Sequence, residues 1–131
     1  MAKKYQLLTN MKTTLAAIGL LALMVLSASC SSTSFAGIEA SLPDMKSKPN
    51  GVYQGSYELS GSPVKVALDV AVQNHSIVAI NITRHFCSPI GKKAEKITAD
   101  IIDRQSLSVD AISGATGSSK AILKAVESAL Q

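Results

Sequence analysis

VKVALDVAVQNHSIVAINIT, residues 64–83, decides the fold. Val64, Val66, Leu68, Val70 and Val72 fall on one face of an extended chain, and Lys65, Ala67, Asp69, Ala71 and Gln73 fall on the other. A period of two marks a strand with one buried face. The polar link Gln73-Asn74-His75-Ser76 interrupts the pattern, and Val78, Ile80 and Ile82 share a face beyond it. Two such runs across a short link predict an antiparallel hairpin. Asn74 tolerates the left-handed backbone angles that a tight turn needs.

Working outward, Asn50-Gly51 is a turn signal, and the run from Val52 to Leu59 is rich in β-formers. It predicts a further strand, with Gly55 as a bulge or a point of close approach. After Pro89 and Gly91 the period changes. Ala94, Ile97, Ile101 and Ile102 recur at helical spacing while Lys93, Lys96, Asp100 and Asp103 lie elsewhere, so a helix is expected from Lys92 to Gln105. Ala121, Ile122, Ala125, Val126, Ala129 and Leu130 repeat that spacing in a closing helix, with Lys120, Lys124 and Glu127 on its solvent side. Strands followed by two helices imply an α+β domain, a small antiparallel sheet packed with two helices.

The chain has 131 residues, 47% of them apolar, which is enough for one small domain. Its formal charge is +4, but Lys3, Lys4 and Lys12 precede an apolar run, and taking those three from the 13 basic residues leaves 10 against 9 acidic ones. The remainder is near neutral. No basic stripe with interleaved aromatics is present, so no nucleic-acid partner is expected.

The positive start and the apolar core from Leu15 to Leu26 read as an export signal over residues 1–29. That core is shorter than the roughly 20 residues a helix needs to cross a bilayer. Met11, followed by Lys12, is an alternative start to Met1. Leu26-Ser27-Ala28-Ser29-Cys30 resembles a bacterial lipobox, with Ser27 where leucine is usual, and implies a lipid on Cys30 and a membrane-anchored lipoprotein. The rival is cleavage after Ala36, behind Ser34 and Phe35, which would give a soluble periplasmic or secreted protein. Residues 30–49 read as a flexible tether and 50–131 as the folded domain. Cys30 and Cys87 are the only cysteines, so a lipidated Cys30 leaves Cys87 without a disulfide partner.

DAISGATGSS, residues 110–119, sits between a short extended run and the closing helix. Gly114 and Gly117 allow unusual backbone angles, and Ser113, Ala115 and Ser118 leave room around Thr116. A helix start offers free N–H groups and the positive end of a dipole, which suit a phosphate. The plainer alternative is that Thr116 or Ser118 caps the helix.

Asp110-Ala111-Ile112-Ser113-Gly114-Ala115-Thr116 resembles the D-x-x-S-G-A-T signature of the FMN-binding domain family. That family includes covalently flavinylated subunits of Rnf-type and sodium-pumping NADH:quinone oxidoreductase complexes. Gly51 to Ser56, the hairpin, Ile101 through Ser106, and Ser118 through Leu130 fall in family order, so the resemblance spans roughly residues 50 to 131. It implies that a flavin transferase joins FMN, taken from FAD, to the Thr116 hydroxyl as a phosphoester. Asp110, Ser113, Gly114 and Ala115 would belong to the cofactor-binding motif, with Asp110 part of what the transferase reads. The chain would then be an electron-transfer protein on the outer side of the cytoplasmic membrane, served by a membrane oxidoreductase or another redox partner, and a carrier more than a complete enzyme. Two alternatives stay open: a module or sensor that holds FMN without a covalent bond, and a small FMN-dependent reductase domain. Phe86 stands where relatives often have an acidic residue.

His85 and Cys87 are good metal ligands, but two are too few for a structural zinc site, and no metal is expected. No nucleophile elbow surrounds Ser113, and no glycine-rich dinucleotide fingerprint is present, so neither a catalytic residue nor direct NADH binding is expected.

Overall fold

The computed structural model describes Phe35 and residues 37–131. The export signal at 1–29, both candidate starts, Cys30 and the cleavage position at Ala36 lie outside the described residues. Among the described residues no helix is long and apolar enough to cross a membrane.

Three antiparallel strands form one sheet in the order β1 (Gly51–Glu58), β2 (Lys65–Gln73), β3 (Ser76–Phe86). A 3-10 segment (Gly91–Lys96) leads into α1 (Ile97–Arg104), and α2 (Thr116–Leu130) closes the chain. The α+β architecture expected from the sequence is the one observed. The helix foreseen from Lys92 begins as a 3-10 segment, the tighter geometry often found at helix starts. It ends where Gln105 turns left-handed, at φ 48°.

Both helices lie on one face of the sheet, α2 against β1 and β2, and α1 against β3. Val66, Leu68, Val70 and Val72 of β2 are buried there with Ile97, Ile101, Ile122, Val126 and Leu130. Each such side chain contributes roughly 1.5–3 kcal/mol through burial. Gly55 is a point of close approach, not a bulge. A Cβ there would lie 2.1 Å from the Ala125 carbonyl oxygen and 2.7 Å from the Ala129 Cβ, while the register from Gly51↔Val72 to Glu58↔Lys65 runs unbroken.

The hairpin turns through Asn74 and His75 at φ 49° and 61°, the two left-handed residues of a tight two-residue loop. β3 departs from the alternation read in the sequence. Val72 faces Ile77 and Ala71 faces Ala79, so Val78 is an extra residue; Leu68 faces Ile82 and Ala67 faces Arg84, so Thr83 is another. Each bulge moves the following residues to the other face. Hence Ile77 is buried in place of Val78, which is 45% exposed, and His85 takes the core position that strict alternation would give to Arg84. Gln105 fixes the first bulge: its side chain accepts from the Ile77 N–H and donates to the Ile77 carbonyl, both at 2.8 Å.

A second correction concerns Glu127, which is buried and not on a solvent side. It accepts from the Ser41 N–H at 3.0 Å and from Lys124. The reason is the segment 37–48, within the stretch whose composition reads as a tether, which packs along α2. Ala40, Leu42 and Met45 lie against the core, the Lys120 ammonium donates to the Ile38 carbonyl at 2.8 Å, and His75 Nδ1 donates to the Met45 carbonyl at 3.2 Å.

Candidate functional site

The SGAT loop is held at its base. Ser119 is fully buried, and its hydroxyl accepts from the Ile112 N–H at 3.0 Å. The Ala115 N–H donates to the Ile112 carbonyl at 2.9 Å, closing a turn across Ser113 and Gly114. Gly114 has φ 77°, a left-handed conformation that a side chain would strain. The turn delivers Ala115, buried, to the position before α2, and Thr116 to its first residue.

No side chain caps α2. The first helical amides have no carbonyl one turn behind them, and the first α2-type bond at this end runs from the Ser119 N–H to the Ala115 carbonyl at 2.9 Å. The N–H groups of Thr116, Gly117 and Ser118 are therefore free of partners within the helix. Thr116 is exposed, and among the described residues its hydroxyl makes no hydrogen bond. Neither Thr116 nor Ser118 acts as a cap. The position that would carry a capping oxygen is Ala115, which has none.

Thr116 opens into a groove of about 300 Å³ lined by Phe35, Ser62, Val64, Ser88, Gly91, Gly114, Ala115, Gly117 and Ser118. One wall is the helix start, another the loop after β3. They meet at Gly91, where a Cβ would lie 2.7 Å from the Ser118 hydroxyl and 3.1 Å from the Cys87 sulfur. Ile90, largely exposed, stands 3.9 Å from where a Gly114 Cβ would be.

The residues expected to act together divide in position. Gly114, Ala115 and Thr116 share this groove. Ser113 is exposed on the turn beside it. Asp110 lines a different groove, with Lys120, Glu39 and Leu107. Cys87 is a free, half-buried thiol beside Gly91.

His85 belongs to the scaffold, not to a loop. Its side chain is fully buried, and Nδ1 donates to Glu95 Oε1 at 2.9 Å. Nε2, also buried, meets no partner among the described residues. Burial works to raise the Glu95 carboxyl, but the hydrogen bonds from His85 and Lys92 and the Lys92 charge outweigh it and hold the group below its ordinary value. The pair ties the 3-10 segment to β3 and so sets the distance between the loop wall of the groove and the sheet. Among the described residues no group of three or more His, Cys, Asp or Glu is placed to hold a metal ion.

Sequence reasoning did not single out Ser119 as the clamp of the loop, Gly91 as the crossing point, or Phe35 as part of the groove. Ser119 and Gly91 carry small-residue signals that many roles share. Phe35 lies 81 positions before Thr116 in the chain, beyond the reach of any local pattern.

A comparison with curated proteins finds no match. The sequence model of the family described as the FMN-binding domain matches residues 60–131, which take in β2, β3, both helices and the whole SGAT loop. That is more than half of the chain, and the chain belongs to the FMN-binding domain family.

Proposed function

We propose that this chain is an electron carrier whose FMN is joined through a phosphoester to Thr116. One observation carries the reading: an exposed threonine, its hydroxyl without a hydrogen bond among the described residues, sits at the first residue of an uncapped helix, inside a groove bordered by small side chains. The residues fit FMN in kind. Three free amides and the positive end of the helix dipole suit a phosphate on the Thr116 oxygen. The groove, at about 300 Å³, lies at the lower end of the range for small-molecule sites and suits a flat ring.

Attachment needs an outside catalyst. No base of this chain lies within hydrogen-bonding distance of the Thr116 hydroxyl among the described residues. A flavin transferase would break the pyrophosphate of FAD, form the bond from Thr116 Oγ1 to the FMN phosphorus, release AMP and take the hydroxyl proton. Gly114 and Ala115 leave the approach open. Asp110, exposed and on a separate groove, suits a role in recognition by that transferase better than contact with the flavin. Once bound, the flavin supplies one- and two-electron transfer, and the protein holds and shields it.

Residues 1–29 as an export signal and Cys30 as a lipid anchor would place the carrier on the outer face of a membrane, within reach of a membrane oxidoreductase.

The test is protein exported from a host that expresses a flavin transferase. We expect an FMN-sized mass increase that maps to the Thr116 peptide, and flavin fluorescence that survives denaturing electrophoresis. Thr116→Ala should lose that fluorescence entirely while unfolding within about 0.5 kcal/mol of the parent, as a surface change does. Denaturation-resistant flavin on Thr116→Ala would overturn the assignment. Flavin released by denaturing the parent would point instead to a module that holds FMN without a covalent bond.

A further inference from the structure

We propose that Phe35 is the aromatic wall of the flavin site: the segment 37–48, upstream of the family's matched region, packs along α2 as a strap, and Phe35 before it lies at the Thr116 groove, where its ring stacks on the isoalloxazine. The inference rests on Thr116 as the residue that carries FMN.

Phe35 lines the groove together with Thr116, Gly117 and Ser118. Its ring lies close against the start of α2. A Cβ on Gly117 would come 3.1 Å from Phe35 Cζ and 3.3 Å from both Phe35 Cε1 and Leu59 Cδ2. The ring therefore lies on the backbone of the second residue of α2, beside the threonine. Most other described lining residues are glycine, alanine or serine, and Phe35 supplies the groove's aromatic surface. Flat π-systems prefer an offset stack on such a surface. A flavin tethered one residue away has its ring within reach of this one.

The strap is anchored, so the ring is presented and not merely nearby. The Ile38 N–H donates to the Phe35 carbonyl at 3.3 Å, turning the chain at the groove. Lys120 then holds the Ile38 carbonyl, Glu127 holds the Ser41 N–H, and Lys48 donates to the Gln131 carbonyl at 3.4 Å. These three contacts follow α2 from its first turns to its end. Binding against a wall fixed in advance avoids the ordering cost that a loose tail would incur.

A consequence follows for processing. A mature chain that begins at Cys30 keeps Phe35, whereas cleavage after Ala36 removes it.

The experiment uses the exported, flavin-loaded full-length protein and its variants, with loading measured by in-gel fluorescence and the N-terminus by intact mass. The chain has no tryptophan, so an introduced indole is the single one present. Tryptophan and tyrosine quench flavin emission on contact and phenylalanine does not. We expect Phe35→Trp to lower native fluorescence per bound flavin several-fold, with recovery on unfolding, and Phe35→Tyr to do the same should the larger indole hinder loading. Phe35→Ala should keep its flavin and show lower emission anisotropy, because the ring is less confined. Ser47→Trp, at the far end of the strap, should leave emission unchanged. Unaltered emission in loaded Phe35→Trp or Phe35→Tyr, equal quenching by Ser47→Trp, or a mature chain that starts at Gly37 would overturn the inference. If denaturation releases the flavin from the parent, attachment at Thr116 is wrong, and the same comparison with noncovalently bound FMN still decides the role of Phe35.

Discussion

The two ends of α2 use small residues for opposite purposes. At its start, Gly114, Ala115 and Gly117 surround an exposed threonine and leave a groove beside it. Toward its end, Ala125 and Ala129 meet Gly55 of β1 so closely that no further atom fits between helix and strand. The start is uncapped and open, while the last turns are covered by β1 on one side and by the strap at Glu127 on another. Composition alone does not tell these ends apart. What separates them is whether another part of the chain arrives to fill the space: among the described residues Phe35 and Leu59 reach Gly117, while Thr116 stays exposed.

The contrast can be broken most severely at the closed end. Gly55→Ala places a methyl where the Ala125 carbonyl already stands, and α2 must lift from β1 to accept it. We expect a loss of about 3 kcal/mol in chemical denaturation, the upper end of the range for overpacking. A loss below about 1 kcal/mol would mean that helix and strand are not locked together there. The next largest effect sharpens the comparison between the open start of α2 and the closed finish of α1. Gln105 seals that finish, with its amide bonded to both backbone groups of buried Ile77 and to the Ile102 carbonyl at 2.7 Å. Gln105→Ala strands those groups and should cost about 2 kcal/mol, within the range for buried partners left unpaired. Hydrogen exchange should show the loss at Ile77 first, since its N–H depends on this side chain.

Legibility followed the reach of each contact. β2 could be read directly because its four alternating apolar residues, Val66, Leu68, Val70 and Val72, are all buried on one face. β3 could be read only as a strand: its two bulges, at Val78 and Thr83, depend on Gln105 and on the core position taken by His85, neither of which leaves a period-two trace. The SGAT loop was recognisable by its residues, but its division was not. Asp110 and Thr116 are six positions apart in one motif and line separate grooves. The strap was the least legible element. Serine, lysine and proline spell a linker, and three modest apolar residues, Ala40, Leu42 and Met45, hold it to the core without any repeating pattern.

The smallest expected effect tests whether the strap truly closes the far end of α2. The Glu127 carboxyl is held below its ordinary value by the hydrogen bond from Lys124, against the opposing effect of burial, with further help from the Ser41 N–H. A carboxyl whose folded pKa is depressed adds stability that is complete above its unfolded value, about 4.3, and is lost as pH falls through the folded one. Glu127→Gln keeps an acceptor for Ser41 but forfeits the charge, and near neutral pH it should cost about 1 kcal/mol, as one charge-assisted bond does. The cost should shrink as pH drops from about 5 toward 3, because the parent loses its carboxylate while the variant has none to lose. Glu95, also depressed, titrates in the same range but is present in both proteins and cancels in the difference. Stability curves that stay parallel across that range would mean that Glu127 is not charged against the strap. In that case the strap is held along α2 by the packing of Ala40, Leu42 and Met45 and by the contacts from Lys120 and Lys48, with no part played by a charge on Glu127.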